Sequence, residues 1–263
     1  MGSATTQALA GTTAALGSAS GVDIDVAREL FAAARSVGDT SALSGALADS
    51  AAAPAARAKV VADVFGAALR PVSVSLLTAA VSERWSSASD MVDGLEELAI
   101  RAAAVAEPAA PVEDELFRFT RTVAENPELE LALGSRLGDA SAKGALVDTL
   151  LTGRSSEAAR LIVSSLVQQP RERRVRQLVA NAMRVVADQR GRTVATVSSA
   201  APLSDAQVQR LSATLSKRYG TEVAINTVVD PAVIGGVRVQ IANDVIDASV
   251  STRLAELRQR LAG

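Results

Sequence analysis

A stretch of about seventy residues occurs twice in this 263-residue chain, and that duplication limits the fold more than any other feature of it. Glu29-Leu30-Phe31 stands against Glu115-Leu116-Phe117, Arg35 against Arg121, Val37 against Val123 and Leu43 against Leu129, all 86 positions apart. Further along, Asp63 stands against Asp148, Leu76-Leu77 against Leu161-Ile162 and Val81 against Leu166, 85 positions apart. Asp, Arg and Phe match as well as the apolar positions. Two copies of one unit, with one residue of loop slippage, therefore fit better than a chance alignment of amphipathic stretches.

Each copy is written in helical periodicity. From about residue 4 to residue 189, apolar residues recur every three or four positions between Gly, Pro, Ser and Asp breaks. Asp23 to Val37 carries Val26, Leu30, Ala33 and Val37 on one face and stops at Gly38-Asp39. Pro54 opens a helix through Phe65, Pro71 another through Trp85, and Met91 to Val105 forms a third. Glu107-Pro108-Ala109-Ala110-Pro111 then interrupts as a linker, so we expect helical units over 1–106 and 107–190. With hydrophobic residues at 48% but aromatics at 2%, those helices must pack through alanine and other small side chains.

The pattern changes at Gly191. Arg192 to Ser198 alternates with period two and is rich in β-branched residues, as a strand with one buried face would be. Ser204 with Gln207 three residues on forms a capping box, flanked by Leu203 and Val208, and starts a helix that ends at Tyr219-Gly220. Glu222 to Val229 and Val233 to Ile241 read as two more strands, Asn243-Asp244 as a turn, and Ser249 as the cap of a terminal helix bearing Val250, Leu254, Leu257 and Leu261. The expected fold is mainly α: a helical bundle of two repeated units followed by a small α+β module, β-α-β-β-α, over 191–263.

Absences narrow the chemistry. Without Cys there are no disulfides, thiolate nucleophiles or thiolate metal sites. Without His the usual proton shuttle and the base of ordinary serine or cysteine triads are missing. A net charge of -2 gives no global field toward nucleic acid or anionic lipid. There is neither a basic-then-apolar leader nor a run of about 18 apolar residues, so we expect a soluble, cytoplasmic chain with no membrane insertion.

Few local features invite a site. Gly235-Gly236 suggests a phosphate loop, but Val237-Arg238-Val239-Gln240-Ile241 follows as a strand, where a phosphate loop requires Lys and Ser or Thr leading into a helix. Arg171, Arg173, Arg174 and Arg176 form a basic cluster without the aromatics or broad basic surface of a nucleic-acid interface, and read as a solvated first turn or a face for an acidic partner. Glu113-Asp114-Glu115 suits a helix N-terminus. Trp85 reads as core, with a partner anchor as the alternative. No catalytic, cofactor-binding or metal-ligating residue is assigned, and no cofactor is expected.

The tail carries a longer pattern. Arg218-Tyr219-Gly220, Val223, Ile225, the run Val228-Val229-Asp230-Pro231-Ala232-Val233-Ile234-Gly235-Gly236-Val237, then Val239-Gln240-Ile241, and Asn243 through Asp247 with Ser249-Val250 and Arg253-Leu254 resemble the C-terminal signature of the ATP synthase δ subunit family. Asn126-Pro127-Glu128-Leu129 also fits, and Ser82 to Trp85 with Met91 to Leu98 resemble the longer actinobacterial members. The resemblance implies a non-catalytic stator subunit, peripheral on the cytoplasmic face of the membrane. Its helical bundle would grip the N-terminal helices of the α subunits, and its C-terminal module would bind the C-terminal region of the b stalk. Asp230, Pro231, Ile234, Gly235, Gly236, Asp247 and Ser249 are expected to be structural. A free-standing helical adaptor is the alternative, and which helical copy holds the head stays open.

Overall fold

The computed structural model describes residues 2–135, 138–171, 173–233, 235–241 and 244–247. Among them the chain forms twelve helices and four strands, in two compact units, Met1–Val186 and Ala187–Gly263.

The first unit is all helical. Its elements are α1 (Ser3–Ser18), α2 (Ile24–Asp39), α3 (Ser41–Ala48), α4 (Pro54–Phe65), α5 (Pro71–Ser82), α6 (Ala88–Ala106), α7 (Val112–Glu125), α8 (Pro127–Gly134), α9 (Ala140–Leu151), α10 (Glu157–Gln168) and α11 (Val175–Gln189), whose last three residues belong to the second unit. Both bounds of α3, α4 and α5 recur in α8, α9 and α10 at an offset of 86. The one-residue slip read from the sequence is therefore absent. Leu76, Leu77 and Val81 correspond to Ile162, Val163 and Val167, all six of them buried. The apolar run at 161–163 lets a sequence comparison slide by one position without losing a match.

The duplication also reaches further than the sequence showed. The buried positions of α1, Thr5, Ala8, Thr12 and Leu16, correspond at the same offset to Met91, Gly94, Leu98 and Ala102 on α6, which are also buried. The repeating element order is thus α1 to α5 and then α6 to α10. Helix α6 packs against α1, α2, α3 and α5 from the first run and against α10 from the second. Residues 94 to 104 are consequently buried without a break, a helix closed on every side. One continuous apolar core runs from Ala8 to Val186.

Specific polar contacts hold the repeat in register. The carboxylate of Glu29 accepts from the backbone N–H of Arg70 at the start of α5 (3.0 Å), and Glu115 accepts from the N–H of Ser156 at the start of α10 (3.0 Å). Each carboxylate occupies an otherwise unfilled donor at a helix N-terminus, where the dipole also favours negative charge. Glu29 further takes Arg70 Nε at 3.1 Å and the Ser73 hydroxyl, and Glu115 takes the Ser156 hydroxyl. Glu107, within the expected linker, accepts from the N–H of Ala158 at 2.8 Å, so that segment is tied to α10.

Helix α5 stops at Ser82, short of the expected Trp85, because other groups take its terminal carbonyls. Arg57, itself buried, donates to the carbonyls of Glu83 (2.8 Å) and Ser82 (3.2 Å), and Trp85 Nε1 donates to that of Ala80 (2.8 Å). The Trp85 ring is 4% exposed, as core packing requires, and lies over Gly94 of α6. The basic cluster divides: Arg171 and Arg173 turn inward, whereas Arg174 and Arg176 stay exposed at the start of α11, as a solvated first turn would be. Arg173 makes two bonds of 2.8 Å to the Glu96 carboxylate, Arg171 bonds Glu96 at 2.9 Å and Asp93 at 2.7 Å, and Arg176 reaches Glu130 at 3.0 Å. Its acidic partner is largely the chain itself. Burial pushes the Asp93 carboxyl above its usual range, although Arg171 and Arg173 pull the other way.

In the second unit β1 (Arg192–Ser199), α12 (Asp205–Tyr219), β2 (Glu222–Val229), β3 (Val237–Ile241) and β4 (Asp244–Asp247) follow in order. The sheet order is β2-β1-β3-β4, with β1 parallel to β2 and antiparallel to β3. Strand β3 begins at Val237, not at the expected Val233, because the backbone turns at 230–233 and Gly235 and Gly236 take left-handed φ; strand β4 is additional to the sequence reading. It pairs antiparallel with β3 from Ile241↔Asp244 to Arg238↔Asp247, so Asp244, expected in a turn, is the first residue of a strand. The terminal helix expected from Ser249 lies outside the described residues. The capping box forms as expected, with Ser204 N–H bonded to Gln207 Oε1 at 2.8 Å. Gly220 ends α12 at φ 73°. Ala195, Val197, Leu215, Val223, Val239 and Ile241 form a separate small core.

Two stability predictions follow from these contacts. Gly94→Ala drives a Cβ into the Trp85 ring, so it is expected to lower unfolding free energy by about 1–3 kcal/mol in a denaturant titration. Glu115→Gln is expected to cost roughly 1–2 kcal/mol, and Glu29→Gln more because it also loses Arg70 Nε; equal costs would contradict that ranking.

Candidate interaction surfaces

The signature residues of the tail are engaged with its own backbone. Asp230 follows β2, and its N–H donates to the Ser199 carbonyl at the end of β1 (2.8 Å). Its Oδ1 accepts from the N–H of Ala232 (2.9 Å) and its carbonyl from that of Val233 (3.0 Å), a turn whose second position Pro231 suits by its fixed φ. Gly235 at φ 67° and Gly236 at φ 81° occupy the left-handed region that side chains disfavour. Asp247 accepts from Arg238 Nε and Nη2, both at 3.1 Å, across β3 and β4. Ile234 and Ser249 lie outside the described residues. Tyr219 donates its hydroxyl to Asp244 at 3.2 Å under the Arg218 guanidinium, 5.9 Å from the ring centre. Desolvation and the Asp244 carboxylate push that phenol above its usual range.

Beside these contacts the sheet face bearing Thr196, Ser198, Arg238 and Gln240 carries a shallow recess of about 420 Å³, rimmed by Val245. It is a polar surface with one exposed apolar residue, suited to hydrogen bonding along a partner.

The helical unit offers apolar surface in several places. Val64 on α4 and Leu150 on α9 occupy equivalent positions of the two runs, and both stand out to solvent. Leu146 is exposed one turn before Leu150, giving α9 an apolar edge at i and i+4. A groove of about 500 Å³ between α8 and the start of α11 is lined by Pro127, Leu131, Pro170 and Arg174. Leu131 is 74% exposed, the largest value among the big apolar side chains described. Sequence reading missed it, although a signal was present. Leu129, Leu131 and Leu133 alternate with period two on what is a helix, so they cannot share one face, and Leu133 takes the core.

Among the described residues, no group of three or more His, Cys, Asp or Glu side chains is placed to hold a metal ion, and no helix is long and apolar enough to cross a membrane.

Comparison with known proteins agrees with the signature. The family model described as ATP synthase delta (OSCP) subunit matches residues 99–261. A protein of Leifsonia xyli named ATP synthase subunit delta is 47% identical over 265 aligned residues, covering 100% of both chains. One of the same name from Streptomyces avermitilis is 40% identical, covering 94% of this chain and 93% of its own, and one from Kineococcus radiotolerans is 39% identical, covering 94% and 91%. The matched region includes the end of α6, all of α7 to α11 and the tail through residue 261, and the full-length relatives extend the likeness through the first run; the chain belongs to the ATP synthase delta (OSCP) subunit family.

Proposed function

We propose that this chain is a peripheral-stalk subunit of a bacterial F-type ATP synthase, without catalysis of its own, that links the catalytic head to the stalk and resists rotor torque. The observation that carries this is the full-length match to a protein named ATP synthase subunit delta. A linking part needs separate surfaces for separate neighbours. Two compact units, each with its own core, supply them. On this reading the helical unit receives the N-terminal helices of the α subunits, whose apolar faces suit exposed edges such as Leu146 and Leu150. The tail takes the C-terminal region of the b subunit, and the assembly places the chain on the cytoplasmic face of the cell membrane. No observation favours a free-standing adaptor over this assignment.

Reconstitution tests it. Synthase heads stripped of their delta subunit should bind the purified chain in a one-to-one complex, and the complex should capture the soluble part of b and recover coupling to the membrane sector. Absence of binding to both heads and b, with the chain folded by circular dichroism, would overturn the assignment.

A further inference from the structure

The two helical runs meet where α2 faces α10, and the seam between them holds a cavity of about 460 Å³. Three guanidinium groups line it, those of Arg28, Arg35 and Arg160, against two carboxylates, Asp148 and Glu157. The carboxylates do not neutralise the cations evenly. Arg28 takes Glu157 at 2.7 Å and also pairs with Asp25. Arg160 stands 3.9 Å from Asp148, beyond hydrogen-bond distance. Arg35 is half-buried and hydrogen-bonds the neutral amide of Gln168, at 2.6 Å; the Asp39 carboxylate one turn on acts on it without forming an ion pair.

Hydroxyls complete the lining. Ser164 and Ser165 reach it from α10, and Ser165, 8% exposed, has no hydrogen-bond partner for its side chain among the described residues. An unpartnered hydroxyl on a buried serine, beside one guanidinium without an ion pair and another held only at 3.9 Å from its carboxylate, leaves donors without close acceptors.

Internal comparison shows that most of this set is not inherited from the repeated unit. At the offset of 86, Arg28 corresponds to Asp114, Arg160 to Val74, Ser165 to Ala79 and Gln168 to Ser82. Only Arg35 has an equivalent cation, Arg121, which pairs with Glu125 at the surface. The copies have diverged where they face one another.

We propose that this seam is a binding site for a small oxyanion of the phosphate class, either free phosphate or the phosphate of an ester. Arg35 and Arg160 donate to its oxygens, and Ser165 supplies a hydroxyl donor. Bound there, the anion bridges α2 and α10 and ties the two runs together by charge-assisted hydrogen bonds. The site is independent of the assignment to a rotary machine.

Titration calorimetry on the full chain at constant ionic strength tests it, with inorganic phosphate, AMP and uncharged adenosine as probes. Saturable binding of phosphate, AMP or both is expected, and none of adenosine. Phosphate binding identifies the free ion as sufficient; AMP alone identifies an ester. Arg35→Gln and Arg160→Gln should each weaken binding by about tenfold. Ser165→Ala, too small a change to disturb α10, should weaken it severalfold, and Arg118→Gln, outside the seam, should leave it unchanged. Circular dichroism confirms that each variant is folded. Lack of saturable binding by either anion, adenosine binding as tightly as AMP, or undiminished binding by folded Arg35→Gln and Ser165→Ala would overturn the proposal.

Discussion

Everything in the helical unit is arranged around the enclosure of α6. A helix that is buried on one stripe needs only one neighbour, but this one is covered from residue 94 to residue 104 without a break, so it must be walled on every side. The first run of helices provides most of the wall, and α10 of the second run closes it. Neither run alone would hide the apolar surface of Leu95, Leu98 and Ile100, each of which stabilises by about 1.5–3 kcal/mol when buried. Alanine and glycine on α6 let the neighbours come close, and Gly94 makes room for Trp85, the only tryptophan in the chain.

Enclosure has an electrostatic consequence. Glu96, Glu97 and Arg101 lie on α6 and are buried with it, and buried charge is costly unless paired. Glu97 and Arg101 pair at 2.7 Å one turn apart, and Glu96 receives two arginines from the segment before α11. Arg171 and Arg173, half of the basic cluster, are thereby a latch on the central helix. Removing one partner would leave the other charge stranded, which is why these pairs fix the α10–α11 connection more firmly than their surface counterparts.

Helix placement, the proline interruption, the first two strands, the Val237–Ile241 part of the third and the capping box were legible because each rests on local chemistry: periodicity, Pro at the first helical turn, and Ser204 with Gln207. The δ-family signature was legible because its glycines and Asp230 serve backbone geometry that few residues can satisfy. Three features were not. The register of the repeat slipped by one because Leu161, Ile162 and Val163 are interchangeable to a pattern but not to a core. The place of α6 at the head of the second run stayed hidden because α1 matches it through buried positions, Ala8 with Gly94 and Thr12 with Leu98, that do not resemble one another as letters. Strand β4 was missed because a four-residue strand is set by its partner β3 rather than by its own composition. The seam cavity was beyond reach for a different reason: Arg35 and Ser165 are far apart in sequence, and only the packing of α2 on α10 brings them to one place.

If α6 is the shared wall of both runs, the helical unit must unfold as one body. Native-state hydrogen exchange followed residue by residue is the most direct measurement of this. The account predicts that α6 amides at 94–104 are the slowest in the unit, and that the most protected amides of α2 and of α10 converge on the same opening free energy as α6 when denaturant is raised. Opening of α7 to α10 at a distinctly lower free energy, with α6 still protected, would contradict it.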